Sequence, residues 1–185
     1  EYLRVAIGRT RDVTSDEITK ETVEALDAAG RPTRLLSLDS RLESDFPGTV
    51  QTYLRHGESL ELPAKSLISQ RKPWYKMEVR AVPAFLFASL GRRSTRFIRN
   101  TAGVLPLTGF LCVYPRRTDP DFIERLWTVL QHPDTIANLR RVAKSYGGDA
   151  IKVEPRALEG LPIPIAVLEA AGIEAPGHYT QTSMF

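Results

Sequence analysis

The sequence predicts a mixed α+β domain with a mainly antiparallel sheet or hairpin core flanked by helices. Three observations lead to that class. Short apolar runs of strand length, 84–88, 95–99 and 109–114, follow one another between turn residues. Two apolar patterns of helical period, 122–130 and 136–143, come directly after them. The chain of 185 residues is 42% hydrophobic and 25% charged, ordinary for a globular protein that builds a core. The pattern divides as an N-terminal strand–helix–strand flank over 1–48, a core over 49–165, and a short helix with a loose tail over 166–185.

In order, Leu3–Ile7 alternates and ends at Gly8, which predicts a short strand. Thr14 and Glu17 stand at capping-box spacing, so a helix is expected to continue through Ile18, Val23 and Leu26 and stop at Gly30. Thr33–Ser37 reads as a weak strand, and 39–48 is polar and turn-rich. Val50–His56 reads as a short helix ending at Gly57. Pro63 argues against one continuous helix over 58–70. Lys72-Pro73 turns and presents Trp74 and Tyr75, and Pro83 begins a new unit.

Ala84–Ala88 and Thr95–Arg99 are expected to form an antiparallel hairpin with Gly91 in its turn. Alternation then sets Phe97 opposite to Arg96, and Ile98 opposite to Arg99. Gly109–Tyr114 reads as a third strand, apolar enough to be buried on both faces. Pro120 suits a first helical position after Asp119, His132-Pro133 interrupts, and a second helix runs to Gly147-Gly148 with Arg140, Arg141 and Lys144 near its end. Ala150–Glu154 reads as a strand, 155–160 as a turn, 161–164 as extended chain, and 167–172 as a last helix.

The charge is unevenly distributed. Between Arg71 and Asn100 stand eight cations and one acid, a local balance of +7, against +3 for the whole chain. Trp74, Tyr75 and Phe97 are interleaved with those cations, a pattern that points to a nucleic-acid surface.

Other chemistries lack their residues. No glycine fingerprint for a dinucleotide and no Walker-type phosphate loop occurs. His56, His132 and His178 each stand alone, suited to solvated or capping roles rather than to a metal. Cys112 is the single cysteine, so neither an internal disulfide nor a cysteine cluster for zinc can form, which fits a reducing cytoplasm. Glu61 and Lys65, after Asp39, loosely resemble a nuclease carboxylate–lysine set, but the spacing is wrong and Pro63 intervenes. Gly147-Gly148 reads as a helix stop, with a phosphate cradle as the alternative. No apolar run reaches membrane-spanning length, so no membrane partner is expected. The chain opens without Met directly into a strand, and reads as a piece of a longer polypeptide.

Several of these pieces occur in a telling succession: Arg71-x-Pro-Trp-Tyr75, Arg96-Phe-Ile-Arg-Asn100, Tyr114-Pro115, the paired helices, and Tyr146-Gly-Gly-x-x-x-Lys152-x-Glu-Pro155 leading to Leu158-x-x-Leu-Pro-Ile-Pro164. Over roughly Val50 to Pro164 the chain resembles the C-terminal target-recognition region of bacterial N6-adenine DNA methyltransferases of restriction–modification systems. Two departures touch loops that would read DNA: Asp149 stands where the family often has a further glycine, and 104–109 lacks the usual Asn.

The resemblance implies a double-stranded DNA partner. It also implies a catalytic methyltransferase domain, in the same chain or in another, which would bind S-adenosylmethionine and carry the Asn/Asp-Pro-Pro-Tyr/Phe motif. This chain has neither that tetrapeptide nor the cofactor's glycine loop, so no cofactor and no catalytic residue are assigned to it. The candidate DNA-binding residues are Arg71, Trp74, Tyr75, Arg92, Arg93, Arg96, Arg99, Asn100 and Lys152.

In that reading Arg92 and Arg93 enter a groove, where a bidentate Arg–guanine contact discriminates by about 1–3 kcal/mol. Arg96 and Arg99 track phosphates. Trp74 either packs in the core or wedges against DNA, Arg71 pairs with Glu78 or with phosphate, and Asn100 reads adenine or closes a turn. Lys152 contacts a phosphate near Gly147-Gly148. Neutralising about five phosphates gives a salt slope near −4.5. Two competing functions remain: a protein-interaction module using the apolar faces of the 120–145 helices, and a metal-dependent nuclease fragment.

Overall fold

The computed structural model describes residues 1–91, 95–145 and 151–175. Its strands are β1 (Leu3–Ile7), β2 (Glu17–Ile18), β3 (Arg34–Leu36), β4 (Phe85–Ala88), β5 (Leu90–Gly91), β6 (Arg96–Asn100), β7 (Leu105–Pro106), β8 (Leu111–Val113), β9 (Lys144–Ser145) and β10 (Ile151–Lys152). Its helices are α1 (Lys20–Ala28), α2 (Gly48–Ser59), α3 (Pro120–Gln131), α4 (Pro133–Val142), α5 (Pro155–Glu159) and α6 (Ile165–Ala170). The class is α+β, as the sequence predicts.

The chain forms two compact units, one of residues 1–5 and 34–81, the other of 6–33 and 82–185. The resumption at Val82 agrees with a new unit expected at Pro83. The expected span 49–165 draws residues from both units, because the break at 81 falls inside it.

In the first unit the start of β1 pairs antiparallel with β3, Leu3 opposite Leu36 and Val5 opposite Arg34. Leu38, Phe46 and Leu54 form the core, with Tyr2, Trp74 and Tyr75 packed against them. Helix α2 continues through Gly57, which was expected to end it. A β-carbon at Gly57 would lie 2.5 Å from Cη2 of Trp74, so the glycine leaves room for the indole instead of stopping the helix.

The second unit is built on a four-stranded sheet in the order β2-β6-β4-β8. β4 and β6 pair antiparallel, Phe85 opposite Arg99 and Ala88 opposite Arg96, which is the predicted hairpin. All four residues of β4 are buried. On one face Phe85, Phe87 and Phe97 pack with Leu130 of α3 and Leu139 of α4. Phe85 stacks on Trp127 at 5.7 Å, and Phe87 meets Phe97 edge-on at 4.9 Å. Each such burial contributes about 1.5–3 kcal/mol, so this cluster anchors the unit.

Several boundaries differ from expectation. The first helix starts at a Thr19–Thr22 capping box, not at Thr14. Glu17–Ile18 instead adds a parallel strand to β6, which buries Ile18 completely. Gly30 does end α1 in the left-handed conformation, φ 67°. Gly91 lies in β5, paired with Ile151 of β10, rather than in a hairpin turn. β8 is shorter than expected and only half-buried, because it is an edge strand with β4 as its one neighbour among the described residues. Helix α4 stops at Val142, since Lys144–Ser145 pairs with β10. Residues 155–159 form a helical turn, α5, started by Pro155.

Both long helices begin where the sequence places them. Asp119 caps α3 by accepting the Phe122 N–H at 3.0 Å, with Pro120 in the first turn. His132 caps α4 by accepting the Asp134 N–H, the capping role foreseen for a lone histidine.

Candidate nucleic-acid interface

The cations of the aromatic-rich stretch meet two different fates. On β6, Arg96 is engaged by protein. Its Nη2 donates to the Val13 carbonyl at 2.6 Å, while Nε lies 3.0 Å from Asp16 Oδ1, an ion pair too oblique to be a hydrogen bond. Arg99 forms a two-pronged pair with Glu124 of α3. That pairing holds the Glu124 carboxyl below its usual range and raises the Arg99 guanidinium. Only 22% of the Arg96 side chain and 21% of the Arg99 side chain is exposed. Three positions apart on a strand, the two point to opposite faces. They cannot track one phosphate path together, and that expectation is corrected.

Asn100 closes a turn. Its amide donates to the carbonyls of Pro83 (2.8 Å) and Val104 (3.0 Å), and its oxygen accepts the Val104 N–H at 2.9 Å. The residue is 8% exposed, so no amide edge is left to read a base. Trp74 and Tyr75 are half-buried core residues of the first unit. The Tyr75 hydroxyl donates to the Arg41 carbonyl at 2.8 Å, and burial pushes that phenol's pKa up. Neither aromatic is a free wedge.

Arg71 is exposed and donates to the thioether of Met77 at 3.7 Å. It does not pair with Glu78, which is taken by Arg80 at 2.7 Å. Lys72 and Lys76 flank the half-buried aromatics, and Lys65 precedes them. All three are exposed and make no ion pair among the described residues. Of these three, Lys65 lies outside the charge-rich interval that the sequence marked. The signal that finds it is the absence of any acid between Glu61 and Glu78.

Lys152 stands on β10, opposite Leu90 of β5 and Lys144 of β9. Lys144 bonds Glu154 at 2.8 Å, which lowers the Glu154 carboxyl, with a smaller contribution from Lys152. Arg92, Arg93 and Gly147-Gly148 lie outside the described residues. Their flanks are informative: Gly91 and Ser145 both pair with Ile151. The chain therefore leaves toward Arg92, leaves toward Tyr146 and returns at Ile151 at one end of a small sheet, joining stretches more than fifty positions apart.

A pocket of about 470 Å³ opens beside β8, lined chiefly by Leu111, Val113, Leu130, Leu158 and Leu161. Among the described residues no group of His, Cys, Asp or Glu is placed to hold a metal. No helix there is long and apolar enough to cross a membrane.

The family model for the C-terminal domain of Type II methyltransferase M.Eco57I matches residues 1–180. The chain belongs to that family. The Type II methyltransferase M.AccI of Acinetobacter calcoaceticus is 27% identical over 174 residues, covering 91% of this chain. The matched region is 31% of the length of M.AccI, so the chain spans about a third of that relative. No solved structure matches. Membership agrees with the resemblance carried by the Arg71–Tyr75, Arg96–Asn100 and Tyr146–Pro155 motifs: this is the C-terminal part of a restriction–modification methyltransferase family.

Proposed function

We propose that the chain is the duplex-DNA recognition part of an N6-adenine methyltransferase of a restriction–modification system, acting in the cytoplasm for a catalytic domain outside these residues. The observation that carries this reading is a match to a methyltransferase C-terminal family along a chain with no Asn/Asp-Pro-Pro-Tyr/Phe motif. The motif's work, holding the target adenine and its amino group, falls to the catalytic domain. So does binding of S-adenosylmethionine. The pocket beside β8 is lined chiefly by apolar side chains, with Glu159 as the one charged group among its described lining residues.

What remains for this chain is to position and to specify. The small sheet of β5, β10 and β9 supports that division. It brings the exits toward Arg92-Arg93 and toward Tyr146-Gly-Gly to one end, beside Lys152. Arginines such as Arg92 and Arg93 suit contacts in a groove, where base edges carry the sequence information.

A docking module is the second reading, and one observation favours it: the apolar pocket beside the edge strand β8. The feature that first motivated it does not stand. The apolar faces of α3 and α4 are covered by the sheet, with Leu130 and Leu139 buried.

Selection from a random duplex pool tests the main reading. The full chain is expected to enrich a common motif over several rounds. Recovery of unrelated sequences at every round contradicts it.

A further inference from the structure

We infer that the turns from Lys65 to Lys76 form a phosphate-gripping surface for duplex DNA, with Lys65, Arg71, Lys72 and Lys76 as its contacts. The inference rests on the DNA-binding reading above and assigns a part of that binding to a named surface.

The backbone comes first. Past α2 the chain folds into successive turns instead of an extended loop. Ile68 and Ser69 both donate to the Lys65 carbonyl at 2.8 Å, Arg71 donates to Ile68 at 2.9 Å, and Lys76 donates to Pro73 at 3.0 Å. These bonds hold the stretch that carries the cations in turns rather than as extended chain. The path is also anchored. Trp74 sits against the notch at Gly57, Tyr75 bonds the Arg41 carbonyl, and Met77 donates its N–H to the Leu38 carbonyl at 2.9 Å. The aromatic residues between the cations therefore fix the turns to the core of the first unit, and the cations stay outside.

The electrostatics come next. Lys65, Lys72 and Lys76 are exposed without a carboxylate partner among the described residues. Among the described residues the Arg71 guanidinium hydrogen-bonds to a thioether, which does not neutralise it. The nearest acid in sequence after them, Glu78, is occupied by Arg80. An anchored group of four uncompensated cations suits a ligand of dense, regular negative charge. Duplex DNA offers one charge per about 1.7 Å of axis. Three lysines act as point charges rather than forked donors, so the surface fixes register without choosing bases.

Fluorescence anisotropy of the full 185-residue chain with a labelled duplex of arbitrary sequence tests this across a salt series. Four neutralised phosphates contribute about −3.6 to the slope of log affinity on log salt. The variant Lys65→Gln/Arg71→Gln/Lys72→Gln/Lys76→Gln is expected to flatten the slope by about 3.6. A control removes the same charge elsewhere, at Arg9→Gln/Arg11→Gln/Arg140→Gln/Arg141→Gln, and is expected to keep the parental slope. Should the fourfold variant not fold by circular dichroism, Lys72→Gln and Lys76→Gln alone each lower the slope by about 0.9.

A parental slope retained by the fourfold variant, or lost equally in the control, overturns the surface while duplex binding itself stands. No duplex binding by the parent at any salt overturns the recognition reading as well, and binding to an acidic peptide in its place reassigns the surface to a protein partner.

Discussion

Arg96 and Arg99 on β6 and the cations from Lys65 to Lys76 look alike in sequence: basic residues spaced among aromatics. Their surroundings separate them. Strand β6 lies inside a sheet, flanked by β2 and β4, so its charged side chains must find partners at its two faces. They find Asp16, the Val13 carbonyl and Glu124. The cations of the turns from 65 to 76 are exposed, and among the described residues no acid pairs with Lys65, Lys72 or Lys76. A cation in a sheet interior is drawn into structure, whereas one on an anchored turn is left for a ligand. Local charge density alone does not distinguish the two.

The sharpest break on the strand side is Asn100→Ala. It removes three hydrogen bonds and strands the Val104 N–H in a buried site. A loss of about 2–4 kcal/mol in urea unfolding is expected, since orphaned buried groups cost about 1–3 kcal/mol and each lost bond adds roughly 1. The affinity of the remaining folded protein for DNA should not change. A fall in affinity with stability intact would restore Asn100 as a base reader.

On the turn side, Gly57→Ala drives a β-carbon into the Trp74 ring. Overpacking of this kind costs about 1–3 kcal/mol. The indole must shift, so tryptophan emission should change and duplex affinity should fall, although Gly57 itself is buried in α2. Unaltered affinity with a displaced indole would show that the anchoring of the turns is unimportant.

Arg99→Met probes the strand more gently. Its partner Glu124 is largely exposed, so solvent screens the pair and its contribution is small. Thermal unfolding should drop slightly, with the salt slope of DNA binding unchanged. The smallest effect concerns pH. Arg99 depresses the Glu124 carboxyl in the folded chain. Its contribution is therefore present above the unfolded carboxyl value, about 4.3, and disappears as pH falls through the lower folded value. The melting-temperature gap between the parent and Glu124→Gln should close below about pH 4. A gap constant with pH would mean that the pair is not an ionic one.

Much of the fold was legible because its signals are local. Short apolar runs between turn residues marked β4 and β6, and Asp119-Pro120 and His132-Pro133 marked the two helix starts. The misreadings share a long-range cause. Thr14 carries the cap spacing, but burial of Ile18 beside β6 claims that segment for a strand. Gly57 looks like a helix stop until Trp74, seventeen positions on, is seen to need its space. Arg99 looks free because its neutralising acid lies twenty-five positions away, on another element. The motifs near Arg71 and Lys152 signalled the family, but which of the cations are engaged depends on the tertiary neighbours of each.

The central claim is that the charge on β6 is structural and the charge on the turns is for DNA. Paired salt titrations of Arg99→Met and of the fourfold 65/71/72/76 variant with one labelled duplex test it most directly. Between about 50 and about 200 mM salt, the parent and Arg99→Met should lose affinity equally, and the fourfold variant about 150-fold less than either. A flattened dependence in Arg99→Met, with the parental dependence kept by the fourfold variant, would contradict the account.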